Sequence, residues 1–192
     1  MARIDTQIII QSAANLADRN GLEKVTLKDL AEELGIRSPS LYNHIGGLDE
    51  LRTMLMLHGW SQLGNSVAMS AVGKSGDDAV RSMCKSFREY SKAHQGVFEA
   101  MLWYNQNISQ EAKQTTDELT KLVGLVLEVY KLKEDDKIHA SRMFRSFLQG
   151  FCSIENNNSF ADPISIDETF DFAVEILIQG LHIWQNKGNA IK

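Results

Sequence analysis

Prolines are nearly absent, with Pro39 and Pro163 the only two in 192 residues, so few positions are barred from a helix interior. Cysteines are as scarce. Cys84 and Cys152 show no CxxC or Cys/His metal spacing, and two thiols make no disulfide framework, so a reduced, cytoplasmic setting is expected. No apolar run approaches the roughly 18–20 residues of a membrane span. The opening Met1-Ala2-Arg3-Ile4-Asp5 has no apolar h-region, so no secretory leader is read there. His58, His94, His139 and His182 are scattered without ligand spacing, which excludes a recognisable metal site. There is no Gly-rich phosphate loop, nucleophile elbow or kinase signature. Neither an enzyme nor a bound cofactor is therefore expected. An excess of cations is missing too: 20 Lys and Arg face 25 Asp and Glu, a net charge of −5, which argues against a nucleic-acid partner.

What the chain does have is 43% apolar and 23% charged residues, an ordinary globular balance that excludes wholesale disorder. Period-2 alternation is almost absent, and apolar residues recur at steps of three and four. The expected class is all-α, with about nine helices. Ile9, Ala13, Leu16 and Ala17 predict a first helix over Ile4–Asn20, ended by Gly21. Thr26 caps a second, Leu27–Leu34, which Gly35 closes. Ser38 as N-cap and Pro39 at the first helical position open a third, reaching Ile45. Gly46-Gly47 then breaks the chain before a long helix, Leu48–Val72. Beyond the loop Gly73-Lys74-Ser75-Gly76, with Asp77 as cap, helices are expected over Asp78–Ala93, Val97–Asn105, Gln110–Tyr130 and Glu134–Glu155. Ser165 and Glu168 form a capping box for a last helix ending near Asn186. The expected domains are 1–47, a three-helix unit, and 48–192, a larger helical one.

Two short helices joined by Gly35-Ile36-Arg37 fit a helix-turn-helix, whose second helix lies in a DNA major groove. Leu41 and Ile45 supply that helix's buried side. Ser38, Pro39, Ser40, Tyr42, Asn43 and His44 are left to face outward. Ser and Asn suit base edges, a Pro ring suits sugar or a thymine methyl, and Tyr and His suit phosphate oxygens. By spacing alone, any small helical bundle with a short internal turn fits as well.

The stretch from Ala13 to Ile36, with Gly21-Leu22-Glu23, Thr26-Leu27 and Leu30-Ala31-Glu32-Glu33-Leu34-Gly35, resembles the N-terminal domain of the TetR-type transcriptional repressors. So does Ser38-Pro39-Ser40-Leu41-Tyr42-Asn43-His44-Ile45. The resemblance implies an all-helical, dimeric regulator that represses a near-palindromic double-stranded DNA operator until a small molecule binds its C-terminal domain. By position it implies that Thr26 bonds a phosphate and that Lys28 reaches the groove or backbone. It further implies that Ser38, Pro39, Ser40 and Asn43 face bases while Tyr42 and His44 hold phosphates. Arg37 joins Lys28 as a main cation of the DNA face. One departure stands out: many members carry a phosphate-binding lysine where this chain has Leu48. Residues 1–52 hold six cations and eight carboxylates, a net −2, so non-specific binding should be poor.

In the larger part, Phe170, Ala173, Val174, Leu177, Leu181 and Trp184 form one stripe of the last helix; Phe172, Ile176 and Ile183 form a second. A helix apolar on two sides is expected to meet a second subunit. The preceding helix repeats this, with Met143, Phe144, Phe147, Phe151 and Ile154 on one face. Leu148 and Cys152 lie on the other, the expected dimer side. Trp60, Phe98, Met101, Trp103, Tyr104, Met143 and Phe147 are candidates to line a cavity for an apolar or aromatic effector. The segments His94–Met101 and Arg145–Phe151 also look like a C-terminal type that recurs in this family. The alternatives are an activator or a regulator without effector, or a helical enzyme or carrier with an unused DNA-binding head.

Overall fold

Asp5 opens α1 (Thr6–Asn20) by accepting the Ile8 amide at 2.9 Å, and Gly21, at φ +89°, closes it. In this computed structural model residues 5–102 and 110–190 are described. The buried side of α1 is Ile9, Ala13, Ala14, Leu16 and Ala17. A 3-10 turn over Leu22–Lys24 leads to α2 (Leu27–Glu33). Gly35, at φ +65°, ends α2 in a Schellman turn: its amide bonds the Glu32 carbonyl, and the Ile36 amide bonds that of Ala31.

The third helix is shorter than its periodicity predicts. α3 covers only Ser38–Leu41 and continues as one looser turn through His44. Arg37, not Ser38, is its N-cap residue, which moves Pro39 to the second helical position. That costs nothing, because the first four amides of a helix have no internal partner. Gly47, at φ +141°, then allows the chain to enter α4 (Leu48–Ala71).

α5 (Gly76–Ala93) starts two residues before the expected Asp78. Asp77 does not cap it. Its carboxylate instead accepts the Tyr130 hydroxyl at 2.7 Å and lies 2.9 Å from His182 Nε2. These contacts hold Asp77 below the usual carboxylate range despite the opposing effect of burial. His94 alone separates α5 from α6 (Gln95–Leu102), which begins before the predicted Val97. The predicted end of that helix lies outside the described residues. α7 (Gln110–Leu127) tightens into a 3-10 turn, Glu128–Tyr130, before α8 (Glu134–Asn156). α9 (Ile166–Ala190) runs past the expected Asn186. At its start Ser165 Oγ accepts the Glu168 amide at 3.2 Å, one half of the predicted box.

The chain divides into two compact units. One joins the chain up to Gln62 with Ala93–Thr115, so α6 belongs with α1, α2 and α3; the other joins Leu63–Lys92 with Thr116–Lys192. In the second unit Phe144, Leu148, Phe151 and Cys152 of α8 and Phe170, Val174, Ile178 and Leu181 of α9 are buried. Arg88 of α5 fastens this core. It donates to both Glu155 oxygens and to Asp167 at 2.7 Å, and its guanidinium lies 4.8 Å from the Phe170 ring centre. Burial pushes the thiols up, to about 12 at Cys84 and about 11 at Cys152. No helix among the described residues is long and apolar enough to cross a membrane.

Candidate nucleic-acid interface

The surface in question is built on α2 and α3. Leu30 and Ala31 anchor α2 inward, Leu41 and Ile45 anchor α3 and its following turn, and all four are buried. The Schellman turn at Gly35 sets the angle between the two helices without a side chain in the bend. Of the nine residues expected to meet DNA, eight are exposed: Thr26, Lys28, Arg37, Pro39, Ser40, Tyr42, Asn43 and His44. Ser38 is half-buried. Tyr42 is the extreme case, an aromatic ring left 60% exposed. Because α3 is a single turn, these residues project from the helix start and from the turn after it, rather than from one long helical face.

Thr26 is the expected cap of α2. Its hydroxyl donates to the Asp29 carboxylate at 2.7 Å and accepts the Asp29 amide at 3.2 Å. The side chain is a helix cap whose proton is already placed on Asp29. Lys28 Nζ stands 3.8 Å from Glu32 with both side chains mostly in solvent, a pair of small worth that a phosphate can replace. Arg37 makes no ion pair among the described residues, leaving a free guanidinium at the entrance to α3.

The turn at Gly46-Gly47 is closed from within: the Gly46 amide donates to Glu50 of the first turn of α4. Leu48 is half-buried at the first position of that helix.

The other expected sites divide. Trp60, Phe98 and Met101 are buried in the first unit; Met143 and Phe147 belong to the second. Phe147 stacks 5.9 Å from Phe170, and Met143 is exposed. Trp103 and Tyr104 lie outside the described residues. On α9 the second stripe is open, with Phe172, Ile176 and Ile183 exposed, and Trp184 joins them instead of the buried stripe. Ile178, four residues after Val174 and three before Leu181, is fully buried on the first stripe, where the sequence reading had omitted it. Leu148 and Cys152 correct the expected dimer side of α8. They are 7% and 0% exposed within this one chain, because the steps Ala140, Phe144, Leu148 and Cys152 turn inward together. Ile138, Met143 and Ile154 are the exposed large apolar residues of α8.

Residues 9–52 match the bacterial regulatory proteins of the tetR family, and residues 80–177 match the tetracyclin repressor-like, C-terminal domain. An uncharacterised HTH-type transcriptional regulator of Bacillus subtilis (strain 168), YobS, is 32% identical over 178 residues, 92% of either chain. A TetR variant from Acinetobacter baumannii AYE, solved in complex with minocycline, has the same fold. It gives a TM-score of 0.75 at 19% identity over 95% of this chain and 99% of that one. BioQ, solved with its double-stranded DNA operator, gives 0.70 at 16% identity over 94% and 99%. With a helix-turn-helix whose polar residues stand exposed, and with both family models matched along its length, the chain belongs to the TetR family of DNA-binding transcriptional regulators.

Proposed function

We propose that the protein is a homodimeric repressor of a near-palindromic operator, released when an apolar or aromatic small molecule binds outside the reading head. The head comprises residues 1–47 and reads DNA with Arg37, Ser38, Pro39, Ser40, Tyr42, Asn43 and His44, aided by Lys28. The observation that carries the dimer is the open stripe of α9. Phe172, Ile176 and Ile183 repeat at helical spacing and are all more than half exposed in the single chain, while the opposite stripe is packed. Met143 and Ile154 of α8 extend the exposed apolar surface. A second copy would cover both helices in a four-helix interface. Support for a small-molecule effector comes from the buried Trp60, Phe98 and Met101 and from the minocycline held by the Acinetobacter structure.

Light scattering tests the assembly. The wild type is expected to be dimeric at micromolar concentration, and Ile176→Glu with Ile183→Glu to be monomeric and deficient in operator binding. A monomeric wild type refutes the reading. Release is tested by screening apolar and aromatic metabolites for compounds that raise the melting temperature and lower operator affinity together. Linkage requires that such a compound bind the DNA complex more weakly.

A further inference from the structure

Arg37 stands where a helix ordinarily caps itself. It is the N-cap residue of α3, in extended backbone at φ −82° and ψ 139°, and its carbonyl accepts the Ser40 amide at 2.8 Å. Ser, Thr, Asp or Asn at this position would turn a side-chain oxygen onto the first amides of the helix. A guanidinium only donates, so Arg37 cannot do this, and α3 has no side-chain cap. The shortest helix of the head thus forgoes a stabilising bond in favour of a long, charged donor.

That donor has no partner inside the protein. Arg37 is exposed and makes no ion pair among the described residues. Each carboxylate of α2, which packs on α3, is taken: Asp29 by the Thr26 hydroxyl, Glu32 by Lys28, and Glu33 by Arg19 at 2.9 Å. Glu50, in the first turn of α4, holds the Gly46 amide. Beside Arg37 the helix start carries Ser38, Pro39 and Ser40. Side chains this short let the start of the helix approach the floor of a groove. They also discriminate poorly, since a hydroxyl serves either kind of base edge. Discrimination then falls to Arg37 and Asn43.

In a helix-turn-helix the first residues of the second helix meet base edges in the major groove. Guanine offers O6 and N7 side by side there, and the parallel N–H groups of a guanidinium match both. We propose that Arg37 reads a guanine, so that each half-site of the operator carries a G·C pair fixed by this residue. This rests on the reading of α2 and α3 as the surface that meets DNA, and it names what that surface selects. In this pose the charge of Arg37 lies between the two phosphate strands and still displaces counterions. A contact to phosphate alone would carry no preference among bases.

The test uses the full chain and duplexes that it selects from random DNA. Each half-site selected by the wild type should hold a guanine preferred about 5- to 150-fold over the next base. Selection by Arg37→Ala should release that one position and leave the other positions unchanged. Putting 7-deazaguanine there keeps the base pair and removes N7. It should weaken wild-type binding at least about threefold and leave Arg37→Ala binding unaltered. Arg37→Ser should lose the same guanine yet melt no lower than the wild type, since serine can cap α3, which separates loss of reading from loss of fold. Selected sites without a shared guanine would overturn the proposal. So would a uniform drop in affinity with an unchanged base profile, or a response to 7-deazaguanine that persists in Arg37→Ala; each leaves the head a DNA reader. A wild type that selects no duplex would overturn the reading of the head, and this proposal with it.

Discussion

Leu48→Lys probes how the head meets the DNA backbone. Residue 48 is the first of α4, half-buried, and follows Gly47 in its left-handed conformation. Two costs attend the change. A lysine at a helix N-terminus opposes the dipole by about 0.3–1 kcal/mol. Asp49 and Glu50 in the same turn offset part of that. The leucine's buried fraction adds up to about 1 kcal/mol, given roughly 1.5–3 for full burial. The variant should therefore fold with a modestly lower melting temperature. With Lys28 and Arg37 as main cations, a dimer presents about four, and log K should fall with log salt at a slope of roughly −3.6. Two added lysines should steepen the slope to about −5.4 and raise affinity at low salt. Fluorescence anisotropy across a salt series, with melting curves alongside, reads both effects. A well-folded Leu48→Lys dimer with an unchanged slope would show that residue 48 does not face phosphates and that Gly46-Gly47 turns α4 away from the DNA.

Asn43→Ala should change which operator bases are preferred, whereas Tyr42→Phe should weaken all sequences about equally; a base reader carries roughly 1–3 kcal/mol of discrimination and a phosphate contact none directly. Identical selection profiles for Asn43→Ala and wild type would remove Asn43 from the readers. Arg88→Met should cost about 3–5 kcal/mol, since the buried Glu155 would lose its bidentate partner and keep only Lys92 at 3.2 Å. Arg88 holds the Glu155 carboxyl below its ordinary range. That stability is therefore present above the ordinary carboxylate pKa and lost as pH falls through the lower folded value. Urea melts of the wild type between pH 6 and pH 3 should show a loss that Arg88→Met largely lacks. Cys84 and Cys152, their pKa values pushed up by burial, should resist alkylation at pH 8 until the chain unfolds; rapid native labelling would contradict the packing around them.

Periodicity and caps made most of this fold legible. Asp5 was outside the sequence argument, but the stripe Ile9, Ala13, Leu16 and Ala17, the Thr26 cap, Gly35 and the Ser165 cap all act locally, and each stands where spacing placed it. The failures are those of tertiary partners. Asp77 looked like a cap because it follows a Gly-rich loop, but Tyr130 and His182, distant in sequence, claim its carboxylate. On α8 two apolar faces were visible, and which one turned inward depended on α9 and α5, so Leu148 and Cys152 were assigned to the wrong side. The exposure of Pro39, Ser40, Tyr42, Asn43 and His44 was legible because residues beside the buried Leu41 and Ile45 have nowhere else to face. Asp18 carried no local signal, since the amide its carboxylate accepts, that of Val97, is distant in sequence.

That an acidic head should read DNA follows from where its carboxylates go. Asp5 caps α1, Asp18 caps α6, Asp29 holds Thr26, Glu33 pairs with Arg19 at 2.9 Å, and Glu50 takes the Gly46 amide. Five of the eight carboxylates in residues 1–52 are thus spent on the protein's own amides, hydroxyls and cations. Several of them oppose the positive end of a helix, where their field is partly cancelled. Lys28 keeps only a loose, solvent-exposed partner and Arg37 none among the described residues. The count of charges overstates the repulsion a phosphate backbone would feel at α2 and α3. The small number of cations on α2 and α3 has a consequence of its own: with few counterions to release, non-specific binding should be weak, and affinity must come from the fit of the helix-turn-helix to its bases.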